Sequence, residues 1–342
     1  MPDASLYLLI LIILLAVGFG VVNGFNDAAN AIAIVVSTRV LPPRNAIILA
    51  AFFNFAGAAT GLAVARTIGK GILTPEVISQ FQYVPVIAAL ASVIIWTSLA
   101  TYYGLPVSLT HGFIAGLAAA GIAVAGVEAV VWGVLQRVMS AVVTAPVLGF
   151  IGGFALMVIL FWVFRRSALA RVRAIFGRLQ IPATAFVAYS HGKNDGQMPI
   201  GVITMALVVF YNDTSLWDRL SLWDPGTGWI IVISALAISS GMAIGGWRVI
   251  RTMGMKITTL RPAHGFAAQA SAAAVIEAAS QLGIPVSTTH CISSAIMGVG
   301  ATKRLSAVRW GVAGNIIAAW IFTFPICGGL GYLFAWLLKM FL

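Results

Sequence analysis

Charge is the scarcest property of this chain. Of its 342 residues, 20 are Lys or Arg and nine are Asp or Glu, 8% in all, where a soluble domain carries about 25%. Hydrophobic residues make up 61%, and the mean hydropathy is +1.01. So little polar surface cannot cover a water-soluble globule, which excludes a soluble enzyme, a secreted module and a disordered chain. Cysteine is almost missing: Cys291 and Cys327 both sit in apolar surroundings, so neither a disulfide framework nor a cysteine metal motif is available. No H-E-x-x-H motif or nucleophile–base pair is present, which argues against an intramembrane hydrolase; no enzyme activity, resident metal or cofactor is expected. Strict apolar–polar alternation over about ten residues, the mark of a membrane barrel, is absent as well.

What is present instead is a series of unbroken apolar runs, such as Leu6–Val22, Val86–Leu99 and Ile230–Ala243. In lipid every backbone polar group needs an internal partner, so such runs are helical. The expected fold class is an all-α polytopic membrane protein. The first run lacks a basic leader and continues into a polar motif, so it is not read as a cleaved signal. A net charge of +11 would suit nucleic acid only on a solvated basic face; with no soluble domain to carry one, no nucleic-acid partner is expected. The lipid bilayer is the partner that composition demands.

The chain repeats itself. Gly24, Asn26 and Asp27 in NGFNDAAN return as Gly192, Asn194 and Asp195 in HGKNDGQM, at an offset of 168. Gly104-Leu105-Pro106-Val107-Ser108-Leu109-Thr110-His111 returns as Gly283-Ile284-Pro285-Val286-Ser287-Thr288-Thr289-His290, at an offset of 179. Arg66-Thr67-Ile68-Gly69 returns as Arg251-Thr252-Met253-Gly254, and the AVVWGV at 129–134 as AVRWGV at 307–312. Four matches in one order divide the chain into a first repeat at 1–165, a short basic linker at 166–181 and a second repeat at 182–342. Internal repeats of this kind mark many transporters.

Lys and Arg set the orientation. Residues 39–44, 165–178, 248–261 and 301–309 hold 14 of the 20 basic residues and are placed inside; Arg66, Lys70, Arg219 and Lys339 are placed outside. This works only if 84–125 and 262–300 each enter and leave on one face, as re-entrant helical hairpins. Their tips would be the Gly-Leu/Ile-Pro-Val-Ser turns, because Gly breaks a helix and Pro disfavours α at the residue before it. Each half then crosses an odd number of times, which makes the second repeat inverted relative to the first. The number of crossings in 1–38 and in 128–164, with Pro146, stays open.

The chemistry rests on residues that lipid disfavours. A carboxylate at mid-membrane costs at least about 2.5–3.5 kcal/mol and usually faces a watered site. Asp27 and Asp195 are such carboxylates, each beside an Asn and near a Gly. They read either as caps of broken helices or as a duplicated substrate and ion site; Gly24 and Gly192 would permit unwinding that frees carbonyls for a cation. At the hairpin tips Ser108, Thr110, Ser287, Thr288 and Thr289 are neutral hydroxyl donors at helix N-termini, where unpaired N–H groups favour an anion. The plainer reading is that they cap their own helices. His111 and His290 are proton carriers or structural hydrogen bonders. Lys193 either offsets the charge of an anion or pairs with Asp195 or snorkels.

With these motifs together, the chain resembles the PiT inorganic phosphate transporters over nearly its whole length. The resemblance implies a secondary transporter that moves phosphate with a cation, with Asn26, Asp27, Asn194, Asp195 and the hairpin Ser and Thr residues lining the site. Asp27 and Asp195, with Asn30 and Gln197, are the candidate coupling-ion ligands. Asn54 and Gln269 stand where sodium-coupled members carry glutamate. This is similar to the bacterial low-affinity branch, in which a proton is the usual coupling ion and a metal–phosphate complex can be the cargo; H+ is therefore favoured over Na+. A plasma-membrane location and import follow from the same resemblance, and a homodimer is left open.

Some relatives carry sulfate. Phosphate near pH 7 keeps a P–OH donor and sulfate has none, so an Asp that accepts this hydrogen bond selects phosphate; a site built for a substrate hydroxyl can reject the analogue lacking it by about 10⁴-fold. A sulfate permease and a phosphate-selective channel remain the alternatives.

Overall fold

The computed structural model describes residues 2–81 and 83–340. The described chain is built from helices: α1 (Pro2–Ser37), α2 (Pro43–Ala58), α3 (Ala63–Gly71), α4 (Pro75–Gln80), α5 (Val84–Tyr103), α6 (Leu109–Ala125), α7 (Trp132–Val163), α8 (Leu169–Asp195), α9 (Gln197–Tyr211), α10 (Leu216–Arg219), α11 (Gly228–Ile244), α12 (Trp247–Arg251), α13 (Pro262–Gln281), α14 (Thr288–Ala301) and α15 (Trp310–Lys339). Among the described residues the only extended pairing is a bridge between Leu73 and Val130.

Among the described residues four helices, α1, α5, α7 and α15, are long and apolar enough to cross a membrane. At 1.5 Å per residue the 36 residues of α1 extend about 54 Å, well beyond a hydrocarbon core of about 30 Å. Two bent pairs meet the same criterion jointly: α2 with α3, bent by 67°, and α11 with the helical segment 247–256, bent by 62°. The chain is a multi-pass membrane protein. Most of 128–164 is one continuous helix: α7 runs through Pro146, and α15 likewise runs through Pro325, a freedom that lipid-embedded helices retain because neighbouring groups take up the freed carbonyl. Within the basic stretch 166–181 α8 already begins, at Leu169, and it passes Pro182 without a break.

The stretches 84–125 and 262–300 each fold as a helix–turn–helix pair with the turn at the Gly-x-Pro-Val-Ser segment. α5 and α6 are joined by 104–108, and α13 and α14 by 282–287. Each tip is a glycine in the left-handed region, Gly104 at φ +73° and Gly283 at φ +66°, which a side chain there would strain. Both glycine carbonyls are held by a threonine of the opposite half: Thr67 Oγ1 donates to Gly283 O at 2.7 Å, and Thr252 Oγ1 to Gly104 O at 2.9 Å. The duplicated Arg-Thr-x-Gly motif therefore pins the tips.

The helices do not unwind at Gly24 and Gly192, a correction to the sequence reading. α1 and α8 are continuous through both. The glycines serve close approach instead: a Cβ on Gly24 would lie 1.8 Å from Ile238 O, and one on Gly192 2.0 Å from Asn54 O. α1 thus packs backbone to backbone on α11, and α8 on α2. Small residues permit this contact, which in lipid replaces the missing hydrophobic drive.

Two large apolar clusters among the described residues frame this contact. One gathers the second half of α1, from Ala28 on, with α13 and α14. The other gathers the first half of α1, up to Phe19, with α5, α6 and α9. The polar stretch Asn23–Asp27 lies on α1 between them, and the functional candidates collect there. On the loop after α9, hydrogen bonds from Ser215 and the Arg219 ion pair hold Asp213 below the usual carboxylate range.

Candidate substrate and coupling-ion site

Both aspartates are buried, Asp27 3% and Asp195 1% exposed, and each is held by a threonine from the other half's hairpin. Thr289 Oγ1 donates to Asp27 Oδ1 at 2.9 Å, with Thr288 Oγ1 3.5 Å from Oδ2. Thr110 Oγ1 donates to Asp195 Oδ1 at 2.8 Å. Thr110 and Thr289 occupy the second position of α6 and α14. Each carboxylate therefore lies against a helix N-terminus, where partial positive charge favours an anion.

His191 joins the two carboxylates. Its Nε2 is 3.4 Å from Asp27 Oδ2 and 3.5 Å from Asp195 Oδ2, and its Nδ1 is 2.8 Å from Asn54 Oδ1. Asp27, His191 and Asp195 offer ligand atoms within 4.8 Å of one another, a spacing that a cation or a shared proton can bridge. Two carboxylates and one imidazole carry a net negative charge even with the imidazole protonated. In a dry interior such a charge demands a compensating cation or proton.

The neighbouring asparagines brace this cluster. Asn30 Nδ2 donates to Thr288 and Thr289 Oγ1 at 3.1 and 3.0 Å. Asn26 Nδ2 donates to Thr101 Oγ1 at 2.6 Å. Asn194 Nδ2 donates to Val286 O at 2.7 Å, and Ser280 Oγ is 3.4 Å from its Oδ1. Thr101 and Ser280 each stand three residues before the tip glycine, so Asn26 and Asn194 each fasten their own half's hairpin, while Asn30 and the two aspartates fasten the other half's.

Ser108 and Ser287 are helix caps, accepting from His111 N and His290 N at 3.2 Å. The capping role occupies the oxygen and leaves the O–H free to donate. His111 and His290 meet edge to face, with centroids 4.8 Å apart, stacked on Phe324 and Trp320 respectively; they touch neither aspartate.

Three expected site residues lie elsewhere. Gln197 Oε1 accepts from Val64 N and Ala65 N at 2.9 and 3.1 Å, capping α3. Gln269 Nε2 donates to Ala31 O and Thr184 Oγ1. Lys193 pairs with Glu277 rather than with Asp195: a lysine two residues before Asp195 on a helix points to a different face. Residues that sequence reasoning passed over are His191, Thr101, Ser280 and Glu277. His191 was findable, because it precedes Asp195 by four and so shares its helix face.

The sequence profile of the phosphate transporter family matches residues 23–331. The chain is 41% identical over 338 residues to the probable low-affinity inorganic phosphate transporter of Bacillus subtilis, covering 99% of both chains. It is 41% identical over 326 residues to that of Rhizobium meliloti, covering 94% of this chain and 95% of the relative. A solved structure described as a sodium-dependent phosphate transporter superposes with a TM-score of 0.86 at 26% identity, covering 98% of this chain and 100% of that one.

Proposed function

Because this chain belongs to the phosphate transporter family, a family of transporters and not enzymes, we propose that it imports inorganic phosphate across the plasma membrane by cation symport, with a proton as the favoured coupling ion. The observation that carries this reading is the crossed pair of bonds from Thr289 to Asp27 and from Thr110 to Asp195. The hydroxyls and helix N-termini that would receive the anion are held by carboxylates that would receive the cation. When a proton or cation takes up the carboxylate charge, its claim on the threonine hydroxyl weakens and the hydroxyl turns to the anion. Anion and cation then bind together or not at all, which is the condition for symport.

In this account Ser108, Thr110, Ser287, Thr288 and Thr289 hold the phosphate, and Asn26, Asn194 and Asn30 keep the tips in register. Asp27 or Asp195 accepts the phosphate P–OH, which sulfate cannot offer. His191 stands between the aspartates and shares the proton. Na+ is the second reading, favoured by the sodium dependence of the solved relative and by the clustered oxygens of Asp27 and Asp195.

The two halves act as inverted repeats around this centre. Gly241 faces Val21 and Phe25 as Gly57 faces Tyr189 and Lys193, partners related by the same offset of 168. The asymmetry lies at His191, whose counterpart is Asn23. Alternating access would open one tip contact, Thr67–Gly283 or Thr252–Gly104, at a time.

Radiolabelled phosphate uptake into proteoliposomes, under proton and sodium gradients imposed separately, tests the proposal. A proton gradient alone should drive accumulation above equilibrium. Accumulation under sodium alone replaces the proton reading with the sodium one. Mere equilibration under both gradients makes the protein a channel and removes symport, and preferential uptake of sulfate removes the substrate assignment.

A further inference from the structure

We infer that Arg66 and Arg137 form a second oxyanion site at the mouth of the protein, beside the tip of the α13–α14 hairpin, which captures free phosphate before it reaches the buried aspartates. The inference rests on the proposed import of phosphate and adds to it a place of entry.

A cavity of about 290 Å³ opens between α3, α7 and the hairpin tip, lined by Arg66, Thr67, Arg137, Gly283, Ile284 and Pro285 among others. At about 30 Å³ per water it has room for an oxyanion with part of its hydration shell. Both arginine residues are exposed. Each is held by a single backbone carbonyl, Arg66 by Trp217 O at 3.3 Å and Arg137 by Leu282 O at 3.2 Å. Neither takes part in any of the ion pairs among the described residues. A guanidinium has five N–H donors in a fixed fork that fits a tetrahedral oxyanion. Two uncompensated ones at a concave mouth raise the local anion concentration.

Arg137 sits on the second turn of α7. A charge on a lipid-facing helix is unfavourable, and the cavity gives this one a place away from lipid to point. The matching place in the second half is Asn315, five residues along from the Trp310 that answers Trp132. At the other hairpin tip Arg248 donates to Tyr102 O and lies over the Tyr102 ring at 4.4 Å. Beside Gly283 the two guanidinium groups share a cavity with the tip residues themselves, on the face that loop charge places outside, whereas Arg39 and Arg251 line a cavity on the other face that the tip residues 104–108 do not line.

The cavity is one residue from the central site. Pro285 lines it, Val286 next in line carries the carbonyl bound by Asn194, and Ser287 caps α14. An anion held by the two arginines lies against the outer side of the segment that must move to admit it.

The phosphate group recognised could also belong to a lipid, and the test separates the sources. Phosphate uptake kinetics of the double variant Arg66→Gln/Arg137→Gln are compared with those of the parent, in vesicles of phosphatidylcholine alone and with phosphatidylglycerol added. The expected result is a KM raised about tenfold in both vesicle types, the size of a lost charged hydrogen bond, with a maximal rate within about twofold. The salt dependence of KM should also flatten, and Arg66→Lys/Arg137→Lys should recover part of the affinity. Arg171→Gln, on the opposite face, is the control and keeps the parental KM. An unchanged KM in the double variant overturns the proposal, and so does a change confined to vesicles containing phosphatidylglycerol, which would make a lipid headgroup the occupant. If the double variant does not fold, Arg137→Cys is modified with a cationic or an anionic thiosulfonate: the cationic adduct should lower KM and the anionic one raise it, and equal effects overturn the proposal. A parent that takes up no phosphate defeats the import reading; a parent that does, beside arginine variants with unchanged KM, defeats only this one.

Discussion

At the scale of single residues, the two crossed threonine–aspartate bonds make a sharp demand. Thr110→Val and Thr289→Val keep shape and remove the hydroxyl. A hydrogen bond to a charged group contributes about 1.5–3 kcal/mol, so each change should weaken phosphate affinity about ten- to a hundredfold. Thr204→Val, whose hydroxyl bonds only Ile200 O on its own helix, should leave affinity unchanged. Uptake against phosphate concentration checks both; equal affinity in all three variants would mean that the hairpin hydroxyls do not reach the substrate. Ser108→Ala and Ser287→Ala remove a cap as well as a donor, so they should lower thermal stability by about 1 kcal/mol each in addition to weakening affinity, as a melting curve would show. Most of this site was legible because duplication singled out Asp27, Asp195, Thr110 and Thr289. His191 is where the duplication fails, with Asn23 in its place, so only its four-residue spacing from Asp195 marks it. Gln197 and Lys193 lie close to Asp195 along the chain, but helical rotation turns them to α3 and Glu277.

At the scale of elements, glycine is the residue whose meaning spacing alone does not give. A glycine in an apolar helix can mark a break or a close contact, and the choice depends on which helix arrives opposite. At Gly24 and Gly192 a carbonyl of α11 or α2 arrives, so the helices stay intact. Gly24→Ala and Gly192→Ala should then force backbones apart. The cost of overpacking, typically about 1–3 kcal/mol, should appear as a lower melting temperature and reduced insertion. Gly177→Ala, in α8 with nothing within 4 Å of the added Cβ, should be neutral or stabilising by about 0.5–1 kcal/mol. A stable Gly24→Ala variant would mean that α1 and α11 do not meet backbone to backbone. The hairpins at 84–125 and 262–300 were readable because Gly and Pro interrupt otherwise continuous apolar runs. The helical start of α8 within the basic stretch was not, since arginines suit a helix as well as a loop.

At the scale of the whole molecule, charge asymmetry predicts how the protein sits. Single cysteines at Arg171 and Asp218 in a background lacking Cys291 and Cys327 should label from opposite faces; labelling of both by an impermeant reagent added outside would remove the inverted arrangement. The central claim is that the buried aspartates couple anion to cation. It is tested most directly by accumulation of radiolabelled phosphate against its gradient in Asp27→Asn and Asp195→Asn, changes that keep size and remove charge. The account predicts that both variants insert and fold but no longer concentrate phosphate, and both concentrating it at the parental rate would contradict it.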